Sequence, residues 1–334
     1  MGGSTGPVWV FAEQNKGTIL PVSLELIGRA RGLADDLGTT LEVIVLGKDV
    51  QDQAPILFNA GADTIFLGDH AELEYYQADF YTQSIVELAT KRKPEIFLLG
   101  TTPAGKELAP LVAARLQTGL TAHCIDLKLD EEKRLEQIIP AYGGLISIVC
   151  PEKRPQMATI AKGVFPKPDI SVEKQGQLVH LDIAAMENRS VELLQVVREE
   201  EEGVTLEDAA TIVAGGAGAR DPDGWQQIAS LADELGGALG ATRPPVDEGW
   251  IELDKMIGQS GKMVSPDLYI GVGLSGELQH MVGITGAKVM VAINNEPKAP
   301  VFEQVDYGIV DDCREFLPVF IDKIRKYKAD NGIS

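Results

Sequence analysis

Along the first half of the chain, short runs of apolar and mostly β-branched residues alternate with stretches whose apolar positions fall three and four apart. The runs VWVF (8–11), LEVIVLG (41–47), TIFLG (64–68) and EIFLLG (95–100) read as strands buried on both faces, because they leave no polar side for solvent. Between the first two, Leu26, Ala30, Leu33 and Leu37 share one face of a 3.6-residue period and Gly38 follows as a stop, which predicts a helix. Alternation of this kind predicts a parallel sheet covered by helices on both faces.

From about residue 121 to 197 the pattern changes. Strand-like runs such as LISIVC (145–150) and VELLQVV (191–197) have few helical stretches between them and predict an antiparallel extension of the first domain. The run REEEEG (198–203) concentrates like charge and predicts a solvated connection. Alternation then restarts, with strands at ATIVAGG (210–216), GALGAT, DLYIGVG, KVMVAIN (288–294) and YGIVDD (307–312), and a helix around WQQIASLADELG. A last helix carries Leu317, Phe320, Ile324 and Tyr327 on one stripe. The expected fold is α/β with two doubly wound domains, 1–200 and 204–334; at 334 residues the chain is longer than one core supports.

Charge narrows the function. Fifty acidic residues against 30 basic give a net charge of −20, which repels phosphate backbones and anionic membrane surfaces and argues against a nucleic-acid partner. The cysteines, Cys124, Cys150 and Cys313, are widely spaced without a CxxC, so neither a disulfide framework nor a metal site is expected, and a reducing compartment fits. MGGSTGPVWVF has no basic segment leading an apolar one, and no run approaches the ~18 apolar residues of a membrane span, so the expected location is the cytoplasm without membrane insertion.

Several motifs carry candidate chemistry. GVGLSGELQH (271–280) fits G-x-G-x-x-G at Gly271, Gly273 and Gly276, after a strand and before a helical segment, the setting in which backbone N–H groups receive a diphosphate. Its wider context is wrong for NAD. The next strand begins near Lys288, too soon for a full βαβ unit, and ends in Asn294 and Asn295 instead of a ribose-binding acid. A second glycine turn, AGGAGARD (214–221), follows the first strand of the same domain, and two such turns suggest one ligand in a shared crevice. GTTPAGKE (100–107) nearly matches a phosphate loop, but Glu107 stands where a hydroxyl should hold Mg²⁺; a turn and helix start with Pro103 early in the helix is the preferred reading. His123 and Cys124 are neighbours in a strand-like run and point to opposite faces, so they form no nucleophile–base pair. Asp312 and Glu315 read as a capping box.

The run LYIGVGLSGELQHMVGITGAKVMVAINNEP (268–297), continuing through APVFEQVDYGIVDD (299–312), resembles the signature of the electron-transfer flavoprotein alpha subunit. GGALGATRPPVDEGW (236–250) and MIGQSGK (256–262) resemble the same family's flavin loops. The resemblance implies FAD in the C-terminal domain and an N-terminal domain that packs against a beta subunit. It places Gly216, Gly273, Ser275 and Gly276 at the diphosphate, and Asn294 and Asp312 toward the adenosine. Gln259, Ser260 and Gly261 would line the isoalloxazine with the Ser260 hydroxyl near N5, Gln279 and His280 would meet the ribityl and pyrimidine edge, and Arg243 would lie over the ring. Arg243, Ser260 and His280 are thereby the expected electron-transfer residues: fixed donors and a permanent cation favour the charge a reduced flavin gathers. Two positions depart from the family pattern. Ala217 stands where an arginine is frequent, leaving Arg220 to supply charge, and Ser260 stands where threonine is frequent.

ILPVSLELIGRARGLAD (19–35) and TRPPVDEGW (242–250) resemble the electron-bifurcating branch, in which a partner flavin takes hydride from NADH and the alpha-subunit FAD relays one electron. Implied partners are a beta subunit, an acyl-CoA dehydrogenase or quinone reductase, and ferredoxin or flavodoxin through the complex. A carrier serving acyl-CoA dehydrogenases alone, a stand-alone NAD-dependent oxidoreductase and a non-catalytic nucleotide-binding module stay open as alternatives.

Overall fold

A computed structural model describes residues 5–141, 144–183, 191, 193–197 and 205–332. The chain divides into two compact units, Met1–Val196 and Val197–Ser334.

The first unit is built on β1 (Val8–Ala12), which a small hairpin of β2 (Gln14–Asn15) and β3 (Thr18–Ile19) links to α1 (Pro21–Leu37). Then follow β4 (Leu41–Gly47), α2 (Ala54–Ala60), β5 (Thr64–Asp69), α3 (Ala78–Arg92), β6 (Ile96–Gly100) and α4 (Pro103–Leu116). All four strands read from the apolar runs are present. Leu26, Ala30, Leu33 and Leu37 of α1 are buried as their spacing predicts, and Gly38 ends the helix in the left-handed conformation, which a side chain would disfavour. Pro103 opens α4 behind a Thr102 N-cap whose hydroxyl accepts the Gly105 N–H at 2.9 Å, so 100–107 is a turn and helix start.

Beyond α4 come β7 (Leu120–Cys124), β8 (Asp126–Leu129), β9 (Leu135–Ala141), β10 (Gly144–Val149), β11 (Gln156–Ile160) and β12 (Gln177–His180). The antiparallel expectation holds only for β8, β9 and β10, which form a separate three-stranded sheet. β7, β11 and β12 instead pair in parallel, completing a seven-stranded sheet of order β12-β5-β4-β1-β6-β11-β7. β7 and β12 form the two edges of that sheet, whereas β11 is buried between β6 and β7. The described residues of 191–197 form no strand, and their side chains are exposed. REEEEG lies outside the described residues. In β7, Cys124 is buried and His123 exposed, but Ala122 is exposed as well and His123 has φ +59°, so an irregularity in the strand rather than regular alternation separates the two.

The second unit contains β13 (Thr211–Gly215), α5 (Pro222–Glu234), β14 (Ala238–Ala241), α6 (Arg243–Asp247), β15 (Leu268–Val272), α7 (Leu278–Met281), β16 (Val289–Asn294), β17 (Tyr307–Val310) and α8 (Cys313–Asn331). Its five strands are parallel in the order β14-β13-β15-β16-β17. α5 and α8 cover one face through Trp225, Ile228, Leu231, Leu317 and Ile321. The other face is covered largely by loop residues, among them Ile257, Val264, Leu274 and Val301. The stripe of α8 is deeply buried at Leu317 but runs out into solvent at Tyr327. No helix among the described residues is long and apolar enough to cross a membrane.

Candidate functional site

In a parallel sheet, a crevice opens at the carboxyl ends of two neighbouring strands whose connections leave in opposite directions. β13 leads through α5 to β14 on one side and β15 leads through α7 to β16 on the other, so the crevice of the second unit lies between the loops that follow β13 and β15. Those loops are the two glycine turns. The Gly216 N–H bonds the Val272 carbonyl at 2.9 Å and the Gly218 N–H bonds the Gly273 carbonyl at 2.8 Å, drawing the turns together. A methyl group on Gly218 would come within 2.6 Å of Gly273 Cα, and one on Gly216 would overlap the Gly273 carbonyl. Gly273 and Gly276 have φ of +61° and +83°, the left-handed region in which glycine is unstrained. The helix expected after the fingerprint is only the four residues of α7, too short to offer a long helix dipole.

The result is a cavity of about 760 Å³, in the size range of small-molecule and cofactor sites. Arg243, Gln259, Ser260, Gly261, Gly273, Ser275, Gly276, Gln279, His280, Asn294 and Asp312 all line it. Gly216 does not reach the wall, but lies directly behind it against Gly273. The loop 256–261 is held over the cavity by two backbone bonds, Gln259 N–H to the Gln279 carbonyl at 2.7 Å and Ile257 N–H to the Ala241 carbonyl at 2.9 Å. Gln259 and Ser260 are exposed at its rim. Asn294 is held by both ends of its amide, donating to the Leu274 carbonyl and accepting from the Glu296 N–H, each at 2.8 Å.

His280 is buried beside this loop. Its Nε2 lies 2.6 Å from the Tyr269 hydroxyl and its Nδ1 3.0 Å from the Ile257 carbonyl. A carbonyl only accepts, so Nδ1 carries the proton and Tyr269 donates to Nε2. Burial pushes the imidazole down to about 4, which keeps it neutral at ordinary pH. Tyr269 went unseen in the sequence because it sits within the apolar run that makes β15, eleven residues from its partner, and no local spacing joins them.

Arg220 lines the cavity from the AGGAGARD turn, where Ala217 offers no charge. Its guanidinium pairs with Asp312 at 2.8 Å, and its backbone is held at φ +69°, unusual for a residue with a side chain. Asp312 also caps α8, its carboxylate accepting the Arg314 N–H at 3.0 Å. The capping arm of the predicted box is present, directed at the second helical residue, but the reciprocal arm is not, because the Asp312 N–H goes to the Asp311 carboxylate at 2.8 Å instead of to Glu315. Next to this pair, Asp221 caps α5 and binds Arg314 at 2.7 Å. Arg243 is largely exposed at the rim and reaches Asp247 at 3.3 Å within α6. Sequence reading also missed Lys298, Glu277 and Glu296 on the cavity wall; Glu277 and Glu296 lie within the quoted runs, but as exposed charges they carried no signal of their own.

A Cβ on either turn would strike the backbone of the other, so the glycines let both turns pack into one backbone-lined cavity floor, the kind of surface that accepts a diphosphate. The loop 256–261 with Arg243 offers a wall suited to a flat ring. Comparisons with known proteins agree. Residues 8–186 match the electron transfer flavoprotein domain and 205–285 the electron transfer flavoprotein FAD-binding domain, so the cofactor is FAD. The electron transfer flavoprotein subunit alpha of Thermoanaerobacterium thermosaccharolyticum is 42% identical over 96% of this chain and 98% of its own. Protein FixB of Clostridium saccharobutylicum is 39% identical over 96% of each chain. The acryloyl-CoA reductase electron transfer subunit beta of Anaerotignum propionicum is 35% identical, again over 96% of each. With both units matched and full-length relatives at this identity, the chain belongs to the electron transfer flavoprotein alpha-subunit family.

Proposed function

We propose that this chain pairs with a beta subunit and relays single electrons through FAD in its second unit, within a complex that splits the electron pair of NADH. The observation that carries the relay is the cavity lined by both glycine turns, Arg243 and the loop 256–261. When bound, FAD supplies the redox chemistry. The turns at Gly218 and Gly273–Gly276 would hold its diphosphate, with Gly216 packed behind them, and Asn294 and Asp312 would face the adenosine end. Gln259, Ser260 and Gly261 would lie against the ring, and Gln279 would line the ribityl path. Arg243 would place a charge beside the ring that no physiological pH removes. His280, with both ring nitrogens engaged, fixes the loop at Ile257 instead of offering a free N–H.

The finer reading rests on TRPPVDEGW, whose Thr242, Arg243 and Pro244 stand in the cavity wall. The relative named as an acryloyl-CoA reductase electron transfer subunit supports an acyl-CoA reductase as the high-potential partner; ferredoxin or flavodoxin would be the low-potential one. The test is reconstitution with the beta subunit. Supplied with NADH, the yellow complex should reduce ferredoxin only while a high-potential acceptor is also present. NADH oxidation that never reduces ferredoxin would leave a simple carrier between acyl-CoA dehydrogenases and a quinone reductase. A colourless complex, or tight NADH binding by the isolated chain without flavin, would overturn the relay itself.

A further inference from the structure

The first unit has a switch point of the same construction. β1 leads through α1 to β4 on one side, while β6 leads through α4 to the opposite side of the sheet, so its crevice lies between the residues that follow β1 and β6. In the second unit the residue directly after β13 is Gly216, and a cavity opens beside it. In the first unit the residue at that place is Glu13.

Glu13 is only 5% exposed, an unusual place for a carboxylate. One of its oxygens accepts the hydroxyl of Thr102, the N-cap of the 14-residue helix α4. The other, Oε1, is buried without a hydrogen-bond partner, as is Thr101 Oγ1 in the same loop. A methyl group on Gly100, the last residue of β6, would come within 2.7 Å of Oε1, so the carboxyl occupies the space a side chain there would take. Glu107, the residue that spoils the phosphate-loop pattern, is exposed on the outside of α4 and does not enter the crevice. The loop 100–107 thus has the features of an anion cradle: a glycine permitting close approach, a capping hydroxyl, and a helix N-terminus. The group that occupies it is the chain's own carboxyl.

We propose that Glu13 is an internal ligand, its carboxyl filling the switch-point crevice of the first unit where a phosphate group would otherwise bind. The crevice is a latent phosphate site, closed by one side chain. The inference is independent of the flavin reading, whose failure would show separately as loss of yellow colour in the unmodified complex.

The test compares thermal unfolding of the FAD-loaded heterodimer carrying wild-type, Glu13→Ala or Glu13→Gln chains, titrated with inorganic phosphate and, separately, AMP. The FAD and beta-subunit sites are common to all three and cancel in the comparison. Glu13→Ala should gain a saturable, ligand-dependent rise in unfolding midpoint that wild type and the shape-preserving Glu13→Gln lack. A greater rise with AMP would assign the site to a nucleotide phosphate, and an equal rise to the free anion. A folded Glu13→Ala that responds to neither, or a wild type that responds as strongly, would overturn the proposal. If Glu13→Ala fails to assemble, Glu13→Ser carries the same test, and AMP taken up by the wild-type chain's first unit would overturn it without any variant.

Discussion

Tyr269 donates its hydroxyl to His280 Nε2 at 2.6 Å, deep beneath the loop that walls the flavin crevice. With the Ile257 carbonyl on the other ring nitrogen, the imidazole is a neutral clasp between β15 and that loop. Tyr269→Phe should leave the fold intact, cost about 1 to 2 kcal/mol through the unpaired nitrogen, and raise the dissociation rate of FAD. Urea unfolding and the loss of flavin absorbance on dilution would check it. An unchanged FAD off-rate would deny the clasp a role in holding the loop.

Proton linkage gives a prediction with opposite signs in the two units. His280, pushed down by burial to about 4 from 6.5, binds fewer protons folded than unfolded between those values. Its contribution is fully present above about pH 6.5 and lost as pH falls toward 4. Glu13, pushed up by burial to about 7 from 4.5 against the Thr102 hydrogen bond, binds more protons when folded. Its contribution is present below about pH 4.5 and lost as pH rises toward 7. Each is worth up to about 3 kcal/mol. Glu13→Gln should therefore remove a loss of stability on raising pH, and His280→Asn a loss on lowering it. Denaturation at a series of pH values would show profiles that diverge from wild type in opposite senses.

Gly216→Ala forces a methyl into the Gly273 carbonyl at the closest approach of the two turns. The expected cost is about 1 to 3 kcal/mol of overpacking, with disproportionate loss of FAD because the turns that receive the diphosphate move apart. Gly38→Ala is the matched control. It has φ +69° but nothing within 4 Å of the added methyl, so it should destabilise the first unit without touching flavin retention.

The starts of α5 and α8 are cross-tied, Asp221 to Arg314 and Arg220 to Asp312. Asp221→Ala removes both a cap and an ion pair and should cost about 1 to 2 kcal/mol, whereas Arg314→Ala, which removes only a half-exposed pair, should cost less than about 1 kcal/mol. Equal losses in chemical denaturation would mean that the pair, not the cap, secures the helix.

Arg243 is exposed and tied only to Asp247 one turn along its own short helix. Arg243→Ala should leave stability within about 0.5 kcal/mol. It should lower the one-electron potential of the bound flavin by on the order of 60 mV, a tenfold change in relative affinity for the reduced form. Spectroelectrochemical titration reads this directly, and an unmoved potential would place the guanidinium away from the ring.

Much of the architecture was legible in the chain because burial on both faces demands uninterrupted apolar runs. That local demand identified β1, β4, β5 and β6 and the main strands of the second unit, and the spacing of Leu26, Ala30, Leu33 and Leu37 identified α1. The paired glycine turns marked the crevice of the second unit for a similar reason: close backbone approach tolerates no side chain, and that requirement is written residue by residue.

What the linear order left open was which strands become neighbours and in which direction. β7, β11 and β12 join the main sheet in parallel although the intervening chain makes an antiparallel sheet of its own, a choice settled by hydrogen bonds between distant segments such as Gln177–His180 and Thr64–Leu67. The pairing of Tyr269 with His280, the tie of Arg220 to Asp312 and the burial of Glu13 against Thr102 likewise depend on side chains that meet only after the strands are ordered. Local sequence fixes which residues avoid water. The assembled sheet decides which polar groups must then satisfy one another, and in this protein those groups surround the crevices at the ends of β1 and β13.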